Sequence, residues 1–224
     1  MALQTVSDLT SAVQDWLFDR ADLAARVPDF ITMFEAKANR SLKCRQMEVR
    51  AVATIDPTID LTPDFVDLPS DFQTMRRVRM LNGASPKQYR LRFVTGAQID
   101  DFREKNPDPG QPVWFSILSD EMEVWPVPAT SFQLEMVYRA YIPALSSIDA
   151  SNRVVTTNWL LALAPDAYLY GALMEAAPYL HDDDRIQVWS SGVTAAIQAL
   201  NDLSDDALFN AGPLVMHRKA RGYS

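Results

Sequence analysis

The sequence predicts an α+β protein: a helical bundle formed by N- and C-terminal helices, with an inserted antiparallel β-sandwich-like module. Three observations predict it. Near both ends of the chain, apolar residues recur every three or four positions, the period of a helix with one buried stripe. From roughly Val49 to Ala144 the period changes to two, as in strands with one buried face. Hydrophobic residues make up 48% of the 224, which is enough for a sizeable core. The expected boundaries are residues 1–48 with 150–212 for the bundle, 49–149 for the β module, and 213–224 for an extended C-terminal arm.

The first helix is expected near Ser7 or Asp8, with Val6, Leu9, Val13, Trp16 and Leu17 as its stripe. The second follows Pro28, a residue suited to a first helical turn. Its stripe is Ile31, Phe34, Ala38 and Leu42, and Glu35, Lys37, Arg40 and Lys43 are read as its solvated face. Val49, Ala51, Ala53 and Ile55 then alternate with polar residues as a strand. Further strands are expected at Ile59–Leu61, Phe65–Leu68, Met75–Leu81 and Tyr89–Val94, with a tight turn at Asn82-Gly83. A short helix spans Gly96 to Glu104 with Ile99 and Phe102 inward, and residues 106–112, NPDPGQP, form a loop. Val113–Leu118 and Met122–Val127 make a hairpin. In the strand Phe132–Ile142, Phe132, Leu134, Met136, Tyr138, Ala140 and Ile142 share one face, while Gln133, Glu135, Val137, Arg139 and Tyr141 share the other.

After a linker at residues 143–157 comes the most apolar stretch, Thr156 to Leu180. Asn158 can cap its first turn, Pro165-Asp166 starts a second helix, and Pro178 is expected to close it. Its core-filling residues include Tyr168, Leu169, Leu173 and Met174. Asp166 and Glu175 interrupt the run, so it is read as a buried core helix rather than a membrane span. In the last long helix Ile186, Trp189, Val193, Ile197, Leu200 and Leu203 form the stripe, and Asp182, Asp183 and Asp184 favour its N-terminal dipole. The N-terminus has no basic region followed by an apolar block, so neither a signal peptide nor a transmembrane helix is expected.

The search for chemistry yields little. His181 and His217 are the two histidines, and neither lies in a nucleophile context. No phosphate loop or dinucleotide fingerprint is present. The single Cys44 excludes an internal disulfide and a cysteine metal cluster. His181 with Asp182 to Asp184 is read as a helix cap rather than a metal site. No cofactor and no catalytic residue is assigned. Net charge is −8, against tight duplex binding. Trp114, Phe115 and Trp125 could stack sugars, but large aromatics in strands more often fill the core. Arg76, Arg77, Arg79, Arg90 and Arg92 could touch phosphates, but in strands such residues usually cover an outer face, and the acidic chain weakens the nucleic-acid reading.

Five stretches carry a resemblance. They are ITMFEAKANRSLKCRQMEVRA at 31–51, VDLPSDFQTMRRVRM at 66–80, MEVWPVP at 122–128, LEMVYRAYIPAL at 134–145, and NWLLALAPDAYLYGALMEAAPYL at 158–180 with the DDDRIQVW that follows. In order and spacing the chain resembles the head-to-tail adaptor (connector) proteins of short-tailed phages, the tail tubular protein A-like or phage adaptor family, over roughly residues 5–205. The resemblance implies a structural virion protein of the neck, made in the host cytoplasm and not an enzyme. It implies a homo-oligomeric ring, usually a dodecamer, between the portal protein and the tail nozzle protein, with genomic DNA passing through the lumen without specific binding. Some related connectors cleave peptidoglycan, but no residues here support that role. The alternatives are a carbohydrate-binding sandwich using Trp114 and Trp125, and a cell-wall hydrolase using carboxylates.

Two physical expectations go with this reading. A negative lumen lets DNA slide, so part of the acidic excess is expected to line the channel. Pro213 to Ser224 hold three basic residues and no acid. In this arm Leu214, Val215 and Met216 would be apolar anchors, and Arg218, Lys219 and Arg221 would meet an acidic portal surface.

Overall fold

Most helices carry their own start signals. The structure is a computed structural model that describes residues 3–18, 22–60, 62, 64–81, 89–148, 151–180 and 183–209. The helices are α1 (Val6–Trp16), α2 (Val27–Ser41), α3 (Gly96–Lys105), α4 (Trp159–Leu163), α5 (Pro165–Leu180) and α6 (Asp183–Phe209). Thr5 and Asp8 form a reciprocal capping box at α1. Thr95 and Gln98 do the same at α3. The Asn158 side chain accepts from the Leu161 amide at 2.8 Å, capping α4. Pro28 sits in the first turn of α2.

The chain divides into two compact units. One comprises Met1–Gln46 with Ile142–Ser224, and the other is Met47–Tyr141. In the first unit, α5 packs against α1, α2 and α6. It buries Ala167, Tyr168, Gly171, Ala172, Leu173, Glu175, Ala176 and Ala177. Small residues let its neighbours come close. A Cβ at Gly171 would lie 2.1 Å from the Phe34 ring of α2, so only glycine fits. Gly192 of α6 makes similar room for Tyr170. The segment before α4 folds back on itself, with Ile148 bridged to Val154. It also binds the start of α1, where the Val6 amide donates to the Thr156 carbonyl at 2.8 Å.

The second unit is a two-sheet sandwich. Its strands are β1 (Glu48–Ile55), β2 (Phe65–Asp67), β3 (Phe72–Leu81), β4 (Tyr89–Arg90), β5 (Arg92–Phe93), β6 (Trp114–Leu118), β7 (Glu121–Trp125) and β8 (Phe132–Ala140). One sheet has the order β1-β8-β3-β4 and the other β2-β7-β6-β5. All pairings are antiparallel except β5 with β6. The core between the sheets takes Val78, Met80, Leu134, Met136 and Tyr138 from one, and Phe115, Met122 and Val124 from the other. These positions alternate along their strands, as a sheet with one buried face requires. The Tyr138 hydroxyl donates to Asp71 at 2.7 Å, which satisfies its polar end inside the core.

Several expectations need correction. Residues 57–59 form a turn and not a strand, and Ile59 is exposed, because the segment buries nothing. Tyr89–Val94 is two short strands in different sheets, split at the buried Leu91. Pro178 lies inside α5, two residues before its end; it costs one backbone bond and does not stop the last turn. Glu35 is buried, not solvated. Leu203 is exposed and Ser204 is buried in its place. On β1 only Ile55 is fully covered, while Val49 remains exposed. The Asn82-Gly83 turn and His181 with Asp182 lie outside the described residues.

Candidate functional site

Trp125 and Phe115 are buried, and Trp114 is half-buried. Trp114 and Trp125 are register partners on adjacent strands, but α3 covers that face. Phe102 stacks on Trp114 with ring centroids 4.6 Å apart. The Arg103 guanidinium lies 5.1 Å above the Trp125 ring. That same guanidinium pairs with Glu123 at 2.6 Å, Asp100 at 3.1 Å and Asp64 at 3.4 Å. Trp114 and Trp125 thus lie under a helix, and neither offers an open face for a sugar ring to stack on.

Glu135 marks the outer face of the other sheet. It is 4% exposed, yet it sits on the face that binary patterning assigns to solvent. The cause is a fence of arginines. Arg50 of β1 donates to Glu135 at 2.6 Å, Arg79 of β3 donates to its other oxygen, and Arg77 lies 3.8 Å away. The Arg79 and Arg50 guanidiniums hold the Glu135 carboxyl below the usual carboxylate range. Arg76, at a bulge in β3, pairs with Glu48 at 3.3 Å. In register, Arg90 of β4 lies beside Arg79. The outer face therefore has a surplus of guanidinium charge on an otherwise acidic chain.

In the helical unit a second buried carboxylate organises the chain. Glu35 Oε1 accepts from the Leu145 amide and from the Tyr168 hydroxyl, both at 2.9 Å. The Tyr168 hydroxyl accepts from Asn158 Nδ2 at 2.6 Å, and that nitrogen also donates to the Pro143 carbonyl at 2.8 Å. Asn39, one turn along α2, accepts from the Ile142 amide at 2.8 Å. Burial raises the Glu35 carboxyl above its usual value despite these two donors. Burial and the nearby Glu35 push the Tyr168 phenol upward. The chemistry is that of a clamp: α2, α4 and α5 grip residues 142–145 through side-chain bonds to backbone. Both carboxylates were missed at the sequence level. Glu35 could have been found, because it follows Ile31 by four and precedes Ala38 by three, inside the buried stripe. Glu135 could not, because its fence comes from β1 and β3 and depends on sheet register.

A third feature is an aromatic groove of about 590 Å³ in the helical unit, lined by Asp15, Trp16, Phe18, Arg185, Val188 and Trp189. Trp16 packs edge-on against Trp189 at 5.4 Å, and Trp189 stacks on Tyr170 at 5.8 Å. Among the described residues no group of three or more His, Cys, Asp or Glu could hold a metal ion. Among them, too, no helix is long and apolar enough to cross a membrane. The arm residues Leu214, Val215, Met216, Arg218, Lys219 and Arg221 lie outside the described residues.

An α+β chain whose notable features are charged faces, an exposed groove and internal clamps has the character of a binding or assembly protein. A family model described as SU10 adaptor protein matches residues 4–216. The chain belongs to that family, and it is accordingly a phage adaptor, a structural component of the virion that contacts other virion proteins. No curated protein matches it.

Proposed function

We propose that this protein is the head-to-tail adaptor ring that joins the portal to the tail nozzle and lines the DNA exit channel. The observation that carries this reading is the adaptor family match across nearly the whole chain, residues 4–216. Copies meet head to tail through complementary side faces, so that rotation closes a ring, a dodecamer in our reading. Acidic residues line the lumen, where negative charge keeps DNA from adhering to the wall. The arm at 213–224 engages the portal, with Leu214, Val215 and Met216 as apolar anchors and Arg218, Lys219 and Arg221 as charge partners. The chemistry is assembly, not catalysis.

Light scattering with and without purified portal rings tests the reading. The expected result is a monomer alone and a discrete ring on the portal, because premature closure would compete with ordered assembly. Failure to bind any portal ring from the same virion would overturn it. Deleting residues 213–224 is expected to abolish portal attachment; normal attachment after deletion would remove the arm from the proposal.

A further inference from the structure

Among the described residues, part of the outer edge of β3 has no strand beside it. β3 pairs along its length with β8, but on its other side β4 meets it at Arg79 and Met80 alone. The Leu91 amide then donates to the Val78 carbonyl at 3.1 Å, and the chain crosses to the other sheet, where Arg92 pairs with Trp114. Continuing the register would have placed Arg92 opposite Arg77. That position is vacated, so Thr74 to Arg77 have no strand neighbour beyond β8 among the described residues. An open edge offers unpaired amides and carbonyls to any incoming strand.

This edge forms one wall of a cleft of about 710 Å³. Its floor is apolar, made by Phe93, Phe115 and Ile117. Phe93 is 63% exposed and packs edge-on against Phe115 at 5.6 Å. Its rim carries Arg76, Arg77, Arg90 and Arg92, and among the described residues no acid lines it. Arg76 and Arg77 are bound from beneath by Glu48 and Glu135. Arg90 and Arg92 are exposed and make no ion pair among the described residues. Four cations gathered on an acidic chain, around a free backbone edge, define the partner by complementarity.

We propose that this cleft is a docking site for an extended acidic segment of a partner protein. The segment adds to β3 as a further strand, bonding through backbone at Thr74 to Arg77. Alternate side chains of such a strand point to opposite faces, so one set places carboxylates on the arginine rim and the other places apolar groups on Phe93 and Ile117. Nucleic acid fits less well. A phosphate backbone supplies no amide ladder for the edge, and a long polyanion would meet the acidic remainder of the chain. The site is independent of ring closure and stands whether or not copies form a ring.

The test is fluorescence anisotropy on the full chain. The probe is a short labelled peptide in which Glu alternates with Val and Phe. Three comparison ligands accompany it: the same peptide with Lys for Glu, the same peptide N-methylated at alternate amides, and a single-stranded oligonucleotide. The acidic peptide is expected to bind, and to weaken by about tenfold or more with Arg92→Glu, since reversing a rim charge places like charges in contact. The milder Arg90→Gln/Arg92→Gln pair is expected to weaken it less, with circular dichroism confirming an unchanged fold. N-methylation on the bonding edge is expected to abolish binding. Equal binding of the Lys peptide, full binding of the N-methylated peptide, tighter binding of the oligonucleotide, or no binding of the acidic peptide would each overturn the proposal.

Discussion

Replacing Tyr168 by Phe removes one oxygen from the centre of the helical unit. That oxygen donates to Glu35 at 2.9 Å and accepts from Asn158 at 2.6 Å. The ring itself stays, packed edge-on to Phe34 at 5.2 Å, so almost no apolar contact is lost. The cost is the polar part alone. A bond to a carboxyl contributes about 1.5–3 kcal/mol and a neutral one about 0.5–1.5 kcal/mol, and both partners remain buried. Glu35 keeps its bond from the Leu145 amide, and Asn158 keeps its bonds to the Pro143 carbonyl and from the Leu161 amide, which places the loss at about 2–4 kcal/mol. Urea unfolding followed by circular dichroism at the helical band measures it. The Tyr168→Phe/Glu35→Gln double variant is expected to lose less than the sum of the singles, because the two groups share one bond. A loss below about 1 kcal/mol, or strict additivity, would refute the clamp.

Glu35→Gln has its own pH signature. The folded Glu35 carboxyl titrates above its unfolded value, so the native state binds more protons in the window just above the ordinary carboxylate range. Stability from this group therefore falls as pH rises through that window, and wild type is expected to gain on Glu35→Gln as pH falls. Unfolding midpoints of both proteins against pH check this; parallel curves would contradict it. Glu135 has the opposite sign. Its folded value is lowered by Arg79 and Arg50, so its contribution is present above the ordinary carboxylate range and is lost as pH falls through the lowered value. Glu135→Gln is expected to flatten the acid limb of the stability curve, and an unchanged limb would argue against the arginine fence. Gly171→Ala drives a methyl to 2.1 Å from Phe34. Overpacking of about 1–3 kcal/mol outweighs the gain of up to about 1 kcal/mol in helix propensity, so the melting temperature is expected to fall.

Periodicity carried the regular elements well. The α5 segment was legible because it is apolar on nearly every side, and β8 because Leu134, Met136, Tyr138 and Ala140 alternate without a break. What could not be read was anything set by a distant partner. Glu35 falls within the buried stripe of α2, but the groups that satisfy it there, Tyr168 and Leu145, come from more than a hundred positions away. Leu203 looks like a stripe residue, yet it is Ser204 that is buried, its hydroxyl accepting from the Arg45 amide at 2.8 Å. Tyr89–Val94 looks like one strand, and the crossing at Leu91 that opens the cleft has no periodic signal. The family resemblance was legible because it rests on the order of many weak stretches, which survives where no single motif is diagnostic.

Net charge is the quantity most easily misread, and it bears on the proposed ring. A value of −8 for the chain says nothing about where the acid lies. Four arginines on the outer β face meet two glutamates, Glu48 and Glu135, and Arg90 adds to the same side. Glu135 is enclosed, so the charge that this face shows to solvent is positive. Such a face turned toward a DNA channel would engage phosphates and retard ejection, with strong salt dependence. An acidic lumen therefore requires this sheet to point away from the ring axis, toward a neighbour or a partner with complementary charge. That orientation can be checked in a density map of the proposed ring on a portal. Arg50 and Arg79 are expected outside the channel wall. If they faced the lumen, the acidic-channel proposal would fail, and the guanidinium surplus would have to be explained as a DNA contact.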